Sequence, residues 1–115
     1  MPVPDRVAAL DHIVARNQVW HRMAAEYGVE NPVPPWKTSL DGFCDALDHA
    51  SCADAVPSFS ERRDEEDALS ATLYADLPYP ENQLVSLAHS LLARGVIDEE
   101  TLARRMAAVR ARLEA

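Results

Sequence analysis

The 115 residues carry 11 Lys and Arg against 19 Asp and Glu, a net charge of −8 that fits one small acidic domain. Phosphate backbones and anionic membrane surfaces repel such a chain, so we expect neither nucleic acid nor a membrane as a partner. Three glycines are too few for a glycine-rich nucleotide loop. Two cysteines, with no leader and no long apolar run, predict a reduced, cytoplasmic protein.

The N-terminal part predicts one long helix followed by an extended arm. Asp5 is a suitable N-cap, apolar residues recur at helical spacing, and Gly28 ends the pattern, which gives a helix of about 22 residues. Three prolines within residues 29–37 predict an extended connector, because proline lacks the amide donor and restricts the residue before it. We therefore predict an N-terminal helix and Pro-rich arm over 1–37 and a helical domain over 38–115.

The middle of the chain holds the acidic excess. Residues 41–81 contain eleven acids and two bases, whereas the flanking parts are close to neutral. A helix is predicted to begin near Thr38 or Ser39, with a buried stripe formed by Leu40, Phe43, Cys44 and Leu47. Residues 50–57 have no period and predict a loop. A second helix is predicted over 59–75, solvated on its first turns.

The last third predicts a helical hairpin over residues 82–113. Leucines recur on one helix face up to Gly95, which is a typical helix stop. Asp98 then caps a second helix whose bases lie toward its C-terminal half, where the helix dipole favours them. With no competing strand pattern, the fold class is all-α, a small helical domain.

The sequence gives only weak support for a metal site or a catalytic cysteine. Cys44, His49 and Cys52 are metal-ligating residue types, but their spacing does not match the tight pairs of structural zinc sites. Cys44 also falls on the apolar stripe, where a free cysteine behaves as a small hydrophobic residue. We expect this chain to bind no metal and to be non-catalytic alone.

Arg62 and Arg63 are the only cations of the acidic middle, and they support two interpretations. In the first, they pair with acids one turn along the helix, Arg62 with Glu66 and Arg63 with Asp67. Alternatively they project donors at an oxyanion across an interface. The pattern alone leaves both open.

Residues 40–113 resemble the N-terminal helical domain of the β subunit of nitrile hydratase and the short β subunit of thiocyanate hydrolase. The resemblance rests on the Arg-rich segment 61–69, the corner Leu77-Pro78-Tyr79, and two helices joined by Gly95-Val96-Ile97-Asp98. In that family an α-type subunit holds cobalt or iron in a C-x-x-C-S-C motif, which this chain lacks.

The resemblance implies a metal-free, β-like subunit of a heteromeric metalloenzyme that adds water to a nitrile or thiocyanate. It implies that a β-subunit arginine, here Arg62 or Arg63, donates hydrogen bonds to the partner's oxidised cysteine oxygens. The family's C-terminal SH3-like barrel is absent from this sequence, so the resemblance implies either a separate SH3-like chain as a further partner or an assembly without that barrel. Two alternatives stay open: an accessory, metallochaperone-like protein that binds the α subunit, and a helical adaptor unrelated to this chemistry.

Overall fold

The structure, a computed structural model, describes residues 7–49 and 58–114. These residues form helices and no strand, which confirms the all-α prediction. The predicted loop at 50–57, with Cys52, lies outside the described residues. The helices in chain order are α1 (Ala8–Ala15), α2 (Trp20–Glu26), α3 (Lys37–His49), α4 (Phe59–Ala71), α5 (Glu81–Ala93) and α6 (Glu99–Leu113).

The prediction of one long N-terminal helix is wrong, because the chain breaks between α1 and α2. Asn17 adopts a left-handed conformation with φ 54°, which an asparagine tolerates better than most residues. The break places Val19 in the interior, and the backbone N–H of Trp20 donates to Glu81 Oε2 at 2.6 Å. The predicted continuous helix is thus interrupted, and the start of α2 is held by contacts with the rest of the domain.

Residues 29–36 contain neither helix nor strand, as the prolines predict, and they lie against α2. The indole Nε1 of Trp20 donates to the Asn31 carbonyl at 2.8 Å, and the Val33 N–H donates to Asn31 Oδ1 at 3.0 Å. Trp36 then packs against the interior just before α3 begins at Lys37. The connector therefore joins α2 to α3 while contributing to the core.

Two hydrophobic clusters hold the helices together, and α5 contributes to both. The first joins α3 to α5, and the second joins α1, α4 and α5. Their buried members are Leu40, Cys44, Leu47, Leu87 and Leu91 in the first, and Leu10, Leu69, Tyr74 and Val85 in the second. The predicted stripe of α3 holds except at Phe43, which is 47% exposed and outside the first cluster.

Helix α4 begins with a capping box and ends earlier than predicted. Ser58 Oγ accepts from the Glu61 N–H at 3.2 Å, while Glu61 Oε1 accepts from the Ser58 N–H at 3.3 Å. At Thr72 the backbone leaves the helical conformation, so the helix stops at Ala71 rather than 75. Its first turns are solvated only in part: Glu61, Arg63 and Asp64 are exposed, whereas Arg62, Glu65 and Glu66 are buried.

Helices α5 and α6 follow one another around Gly95, which has φ 74°, and Asp98 caps α6 by accepting from the Thr101 N–H at 2.9 Å. Both features agree with the sequence pattern. Helix α5 packs chiefly against α4, whereas α6 contacts α1. No residue of α6 is buried, so one long helix lies on the outside of the domain.

Candidate functional site

The two arginines singled out in the sequence occupy different environments on α4. Successive residues of an α-helix are rotated by about 100°, so neighbours cannot share a face. Arg62 is only 3% exposed and lies between α4 and α3, whereas Arg63 is exposed. The structure therefore separates two residues that the sequence presents as one pair.

Arg62 is held by carboxylates from two helices. Its Nη1 donates to Glu66 Oε2 at 2.7 Å, the predicted pair one turn along α4. Its Nε and Nη2 donate to Asp48 Oδ1 on α3 at 3.3 and 3.2 Å. Burial alone would lower the pKa of Arg62, but the Glu66 and Asp48 carboxylates outweigh it and the pKa is raised. Arg62 therefore carries a permanent charge that ties α4 to α3.

Burial disfavours the charged form of Glu66. Burial raises the pKa of its carboxyl, and the neighbouring Arg62 guanidinium only partly opposes that effect. Burial likewise raises the pKa of the nearby Cys44 thiol, again with Arg62 opposing. Cys44 is thus a neutral, buried thiol rather than an activated nucleophile.

A second arginine uses the other acids of α4. Arg94, at the end of α5, donates from Nε to both Glu65 oxygens at 3.0 and 2.9 Å, and from Nη2 to the same carboxylate. It also approaches Glu61 at 3.5 Å. The carboxylate of Glu65 raises the pKa of Arg94 by hydrogen bonding. The acidic run of α4 is therefore in part a structural feature that fastens neighbouring helices.

Arg63 lines a small polar cavity between α4 and the start of α5. The cavity has a volume of about 250 Å³, and Glu66, Asp67, Tyr79 and Asn82 also line it. The buried oxygens Asn82 Oδ1 and Gln83 Oε1 face no hydrogen-bond donor among the described residues. Arg63 and Asp67 both border this cavity, and their pairing one turn apart stays a prediction.

The candidate metal ligands are not brought together in the described part of the chain. There, no group of three or more His, Cys, Asp and Glu side chains could hold a metal ion. Cys44 is buried, whereas His49 is exposed and its Nδ1 lies 2.8 Å from the Asp45 carbonyl oxygen. That hydrogen bond raises the pKa of His49. Cys52 lies outside the described residues.

The sequence pattern did not predict that a histidine is buried in the domain. His89 lies inside the domain on α5, with Nδ1 2.6 Å from the Tyr74 hydroxyl and the rings in an edge-on contact. Its Nε2 is buried without a hydrogen-bond partner. Burial lowers the pKa of His89, with Asp11 opposing weakly. Its position among the leucines of α5 was the one available signal.

None of the helices among residues 7–49 and 58–114 combines the length and apolar character needed to cross a membrane. No protein-family model, curated protein or solved structure matches the chain.

Proposed function

We propose that this chain is a metal-free, β-like subunit of a heteromeric metalloenzyme of the nitrile hydratase and thiocyanate hydrolase type, acting in the cytoplasm. Support comes from the sequence resemblance over residues 40–113, which run from α3 to α6. The all-helical fold of the described residues is compatible with a helical β-type domain. The chain would contribute an interface and one arginine to a site carried by an α-type subunit.

The observation that carries the proposal is the opposite placement of the two arginines. Arg62 is paired with Asp48 and Glu66, so its guanidinium cannot reach another chain without breaking both ion pairs and leaving the buried Glu66 unpaired. Arg63 is exposed at the edge of a polar cavity. We therefore assign the cross-interface role to Arg63 and a structural role to Arg62.

In this proposal the cobalt or iron belongs to the α-type partner, where it supplies Lewis-acid activation of the substrate carbon toward water. Arg63 would donate hydrogen bonds to oxygen atoms of the partner's oxidised cysteines and hold them in place. This chain would bind no cofactor itself.

Co-expression with an α-type subunit that carries the C-x-x-C-S-C motif tests the proposal. We expect the two chains to co-elute in gel filtration and to hydrate a nitrile or thiocyanate. Arg63→Ala should lower that activity by about 10- to 100-fold, the usual effect of removing a residue that orients metal ligands, without dissociating the complex. Asp64→Ala, an exposed neighbour on α4, is the matched control and should leave activity unchanged.

The alternatives give different results in the same experiment. An accessory, metallochaperone-like protein would bind the α-type subunit before metal loading and leave it afterwards. An unrelated helical adaptor would not co-elute at any stage. Full activity of Arg63→Ala in an assembled complex would remove the assigned role of Arg63 while leaving the subunit proposal in place.

A further inference from the structure

Helix α6 and helix α1 border a long groove on the surface of the domain. Two adjoining cavities of about 550 and 500 Å³ lie along α6, and both are lined by Arg16, Met106 and Arg110. The two cavities are therefore neighbours along α6, and we call them together the α1–α6 groove. A 15-residue helix is about 22 Å long, so the groove can accommodate several turns of a second helix.

The floor of the α1–α6 groove is apolar and open to solvent. Val109 is 43% exposed and Leu113 is 76% exposed, although both lie on the apolar stripe of α6. Ile13 of α1 and Met106 of α6 continue the same surface. An amphipathic helix whose apolar stripe stays uncovered is typical of a surface that receives another polypeptide.

The rim of the groove is basic although the whole chain has a net charge of −8. Arg16, Arg105 and Arg110 line it, and Glu114 is the one carboxylate among the residues of the cavity at its C-terminal end. Glu114 pairs with Arg110 through a 2.8 Å contact, so the positive excess comes from Arg16 and Arg105. Glu99 lines the other cavity, where its carboxylate accepts a hydrogen bond from the Ala9 N–H. The unbalanced positive charge of Arg16 and Arg105 therefore lies toward the C-terminal end of the groove.

We propose that the α1–α6 groove docks an acidic amphipathic helix of a partner protein. The apolar residues of that helix would cover Met106, Val109 and Leu113, while its flanking Asp and Glu side chains face Arg16 and Arg105. The proposal concerns another surface than the Arg63 cavity, and it does not rest on the proposed function. It follows from the pairing of an apolar floor with a basic rim.

The same chemistry disfavours a second copy of this chain bound through its own α6. Two copies that covered each other's Val109 and Leu113 would bring their Arg105 side chains together. Helix α4 exposes polar or small side chains, so it offers nothing to cover the apolar floor; among the described side chains these are Ser60, Glu61, Arg63, Asp64, Asp67 and Ala71. Helix α3 exposes Phe43 together with Asp41 and Asp45, so a dimer formed through α3 is the second-copy outcome of the test. A nucleic acid would engage the arginines but leave Val109 and Leu113 exposed.

Two designed peptides probe the proposal with the full-length chain. Each is an 18-residue helix-forming peptide with leucines at i, i+3, i+4 and i+7, and the remaining positions are mainly Glu in one peptide and Lys in the other. We expect fluorescence anisotropy at about 0.15 M ionic strength to give tighter binding of the Glu peptide by about fourfold, since each of the two Arg–carboxylate contacts contributes about twofold. At that ionic strength the Debye length of about 8 Å largely screens the net charge of −8 on the rest of the chain. The preference should shrink in about 0.5 M NaCl.

Variants locate the binding on the groove. Arg105→Glu with Arg110→Glu should weaken the Glu peptide by about tenfold, and Val109→Asp should weaken both peptides. Arg104→Glu with Arg112→Glu is the matched control, because it makes the same charge change on α6 at positions that do not line the groove. Circular dichroism should show all variants folded, since α6 contributes no buried residue.

Several results would overturn the proposal. One is equal binding, or no binding, of the two peptides, and another is an equal loss in the two double variants. A concentration-dependent dimer that Val109→Asp dissociates would identify a second copy as the occupant. Competition by a short DNA duplex, unaffected by Val109→Asp, would identify a purely electrostatic surface.

Discussion

Arg62 Nη1 lies 2.7 Å from Glu66 Oε2 in a buried ion pair one turn apart on α4. Asp48 of α3 contacts the same guanidinium, so three charged groups share the interior between the two helices. Removing one member of such a group leaves the others uncompensated in a medium that solvates them poorly. The relationship makes Arg62 a structural residue and directs the functional proposal to Arg63.

Arg62→Ala should destabilise the domain by about 3 to 5 kcal/mol, because the carboxylate of Glu66 would stay buried without its partner. Arg63→Ala should change the free energy of unfolding by less than about 0.5 kcal/mol, as is usual for exposed positions. Urea denaturation of both variants checks this. Arg62→Leu combined with Glu66→Leu should recover part of the loss, since it removes the two buried charges and leaves Asp48, whose side chain is 31% exposed. An equal effect of the two alanine variants would contradict the assignment.

His89 should make the domain less stable in mild acid. Its folded pKa lies below the ordinary value of about 6.5 because of burial, so the unfolded chain binds the proton more readily. Neutral, buried His89 therefore makes its full contribution to the free energy of unfolding above about pH 6.5. That contribution is lost as the pH falls below this value. The slope it adds is at most about 1.4 kcal/mol per pH unit.

Urea denaturation at about pH 7.5 and pH 5.5 measures this dependence, where the slope follows from linkage. His89→Asn keeps an acceptor near the Tyr74 hydroxyl and should flatten the loss between the two pH values. His21→Asn, on the exposed surface of α2, is the control and should keep the wild-type difference. A His89→Asn variant with the full wild-type slope would assign the loss to other groups.

The sequence predicted the helices best where an N-cap residue, an apolar stripe and a helix-ending residue indicate the same boundaries. Gly95 and Asp98 mark the junction of α5 and α6 because a left-handed glycine and a capping carboxylate are local requirements. The break at Asn17 escaped prediction, because the apolar pattern continues across it and Val19 is drawn inward by contacts with distant residues. Phe43 was predicted as core, but it is 47% exposed, and no helix within residues 7–49 and 58–114 buries it.

The site was less predictable because it depends on which distant residues meet. Pairing of Arg62 with Glu66 follows from helix spacing and was anticipated. The contacts of Arg62 with Asp48 and of Arg94 with Glu65 join different helices and have no signal in the sequence. Arg16 and Arg105 likewise form a basic rim only when α1 and α6 come together, although the chain is acidic overall.

Leu87→Ala should destabilise the domain far more than Leu84→Ala, although both lie on α5. Leu87 is 1% exposed within the first cluster, whereas Leu84 is 41% exposed. A buried Leu→Ala change removes apolar contacts and leaves a cavity, at a cost of about 2 to 5 kcal/mol. Thermal and urea unfolding should rank the two variants in that order, and equal losses would place α5 in another orientation.

Ser58→Ala should destabilise α4 by about 1 kcal/mol, the usual cost of losing an N-cap hydroxyl. The Ser58 hydroxyl accepts from the Glu61 N–H, which would otherwise lack a helical partner. Ser60→Ala is the matched control, since Ser60 is exposed within the first turn and should tolerate alanine. Urea denaturation distinguishes them, and a larger effect of Ser60→Ala would place the start of α4 elsewhere.

Cys44 should be inert toward thiol reagents until the protein unfolds. The thiol is buried against α5, and burial raises its pKa, so both access and thiolate content are low. In a Cys52→Ser variant, where Cys44 is the remaining thiol, a maleimide should react at least about 100-fold more slowly with the native protein than with the protein in urea. Arg62→Ala should speed the native reaction, because loosening the contact between α3 and α4 opens the region around Cys44, whereas Arg63→Ala should leave the rate unchanged. Rapid native labelling of Cys44 would show that α3 does not pack against α5 in the first cluster.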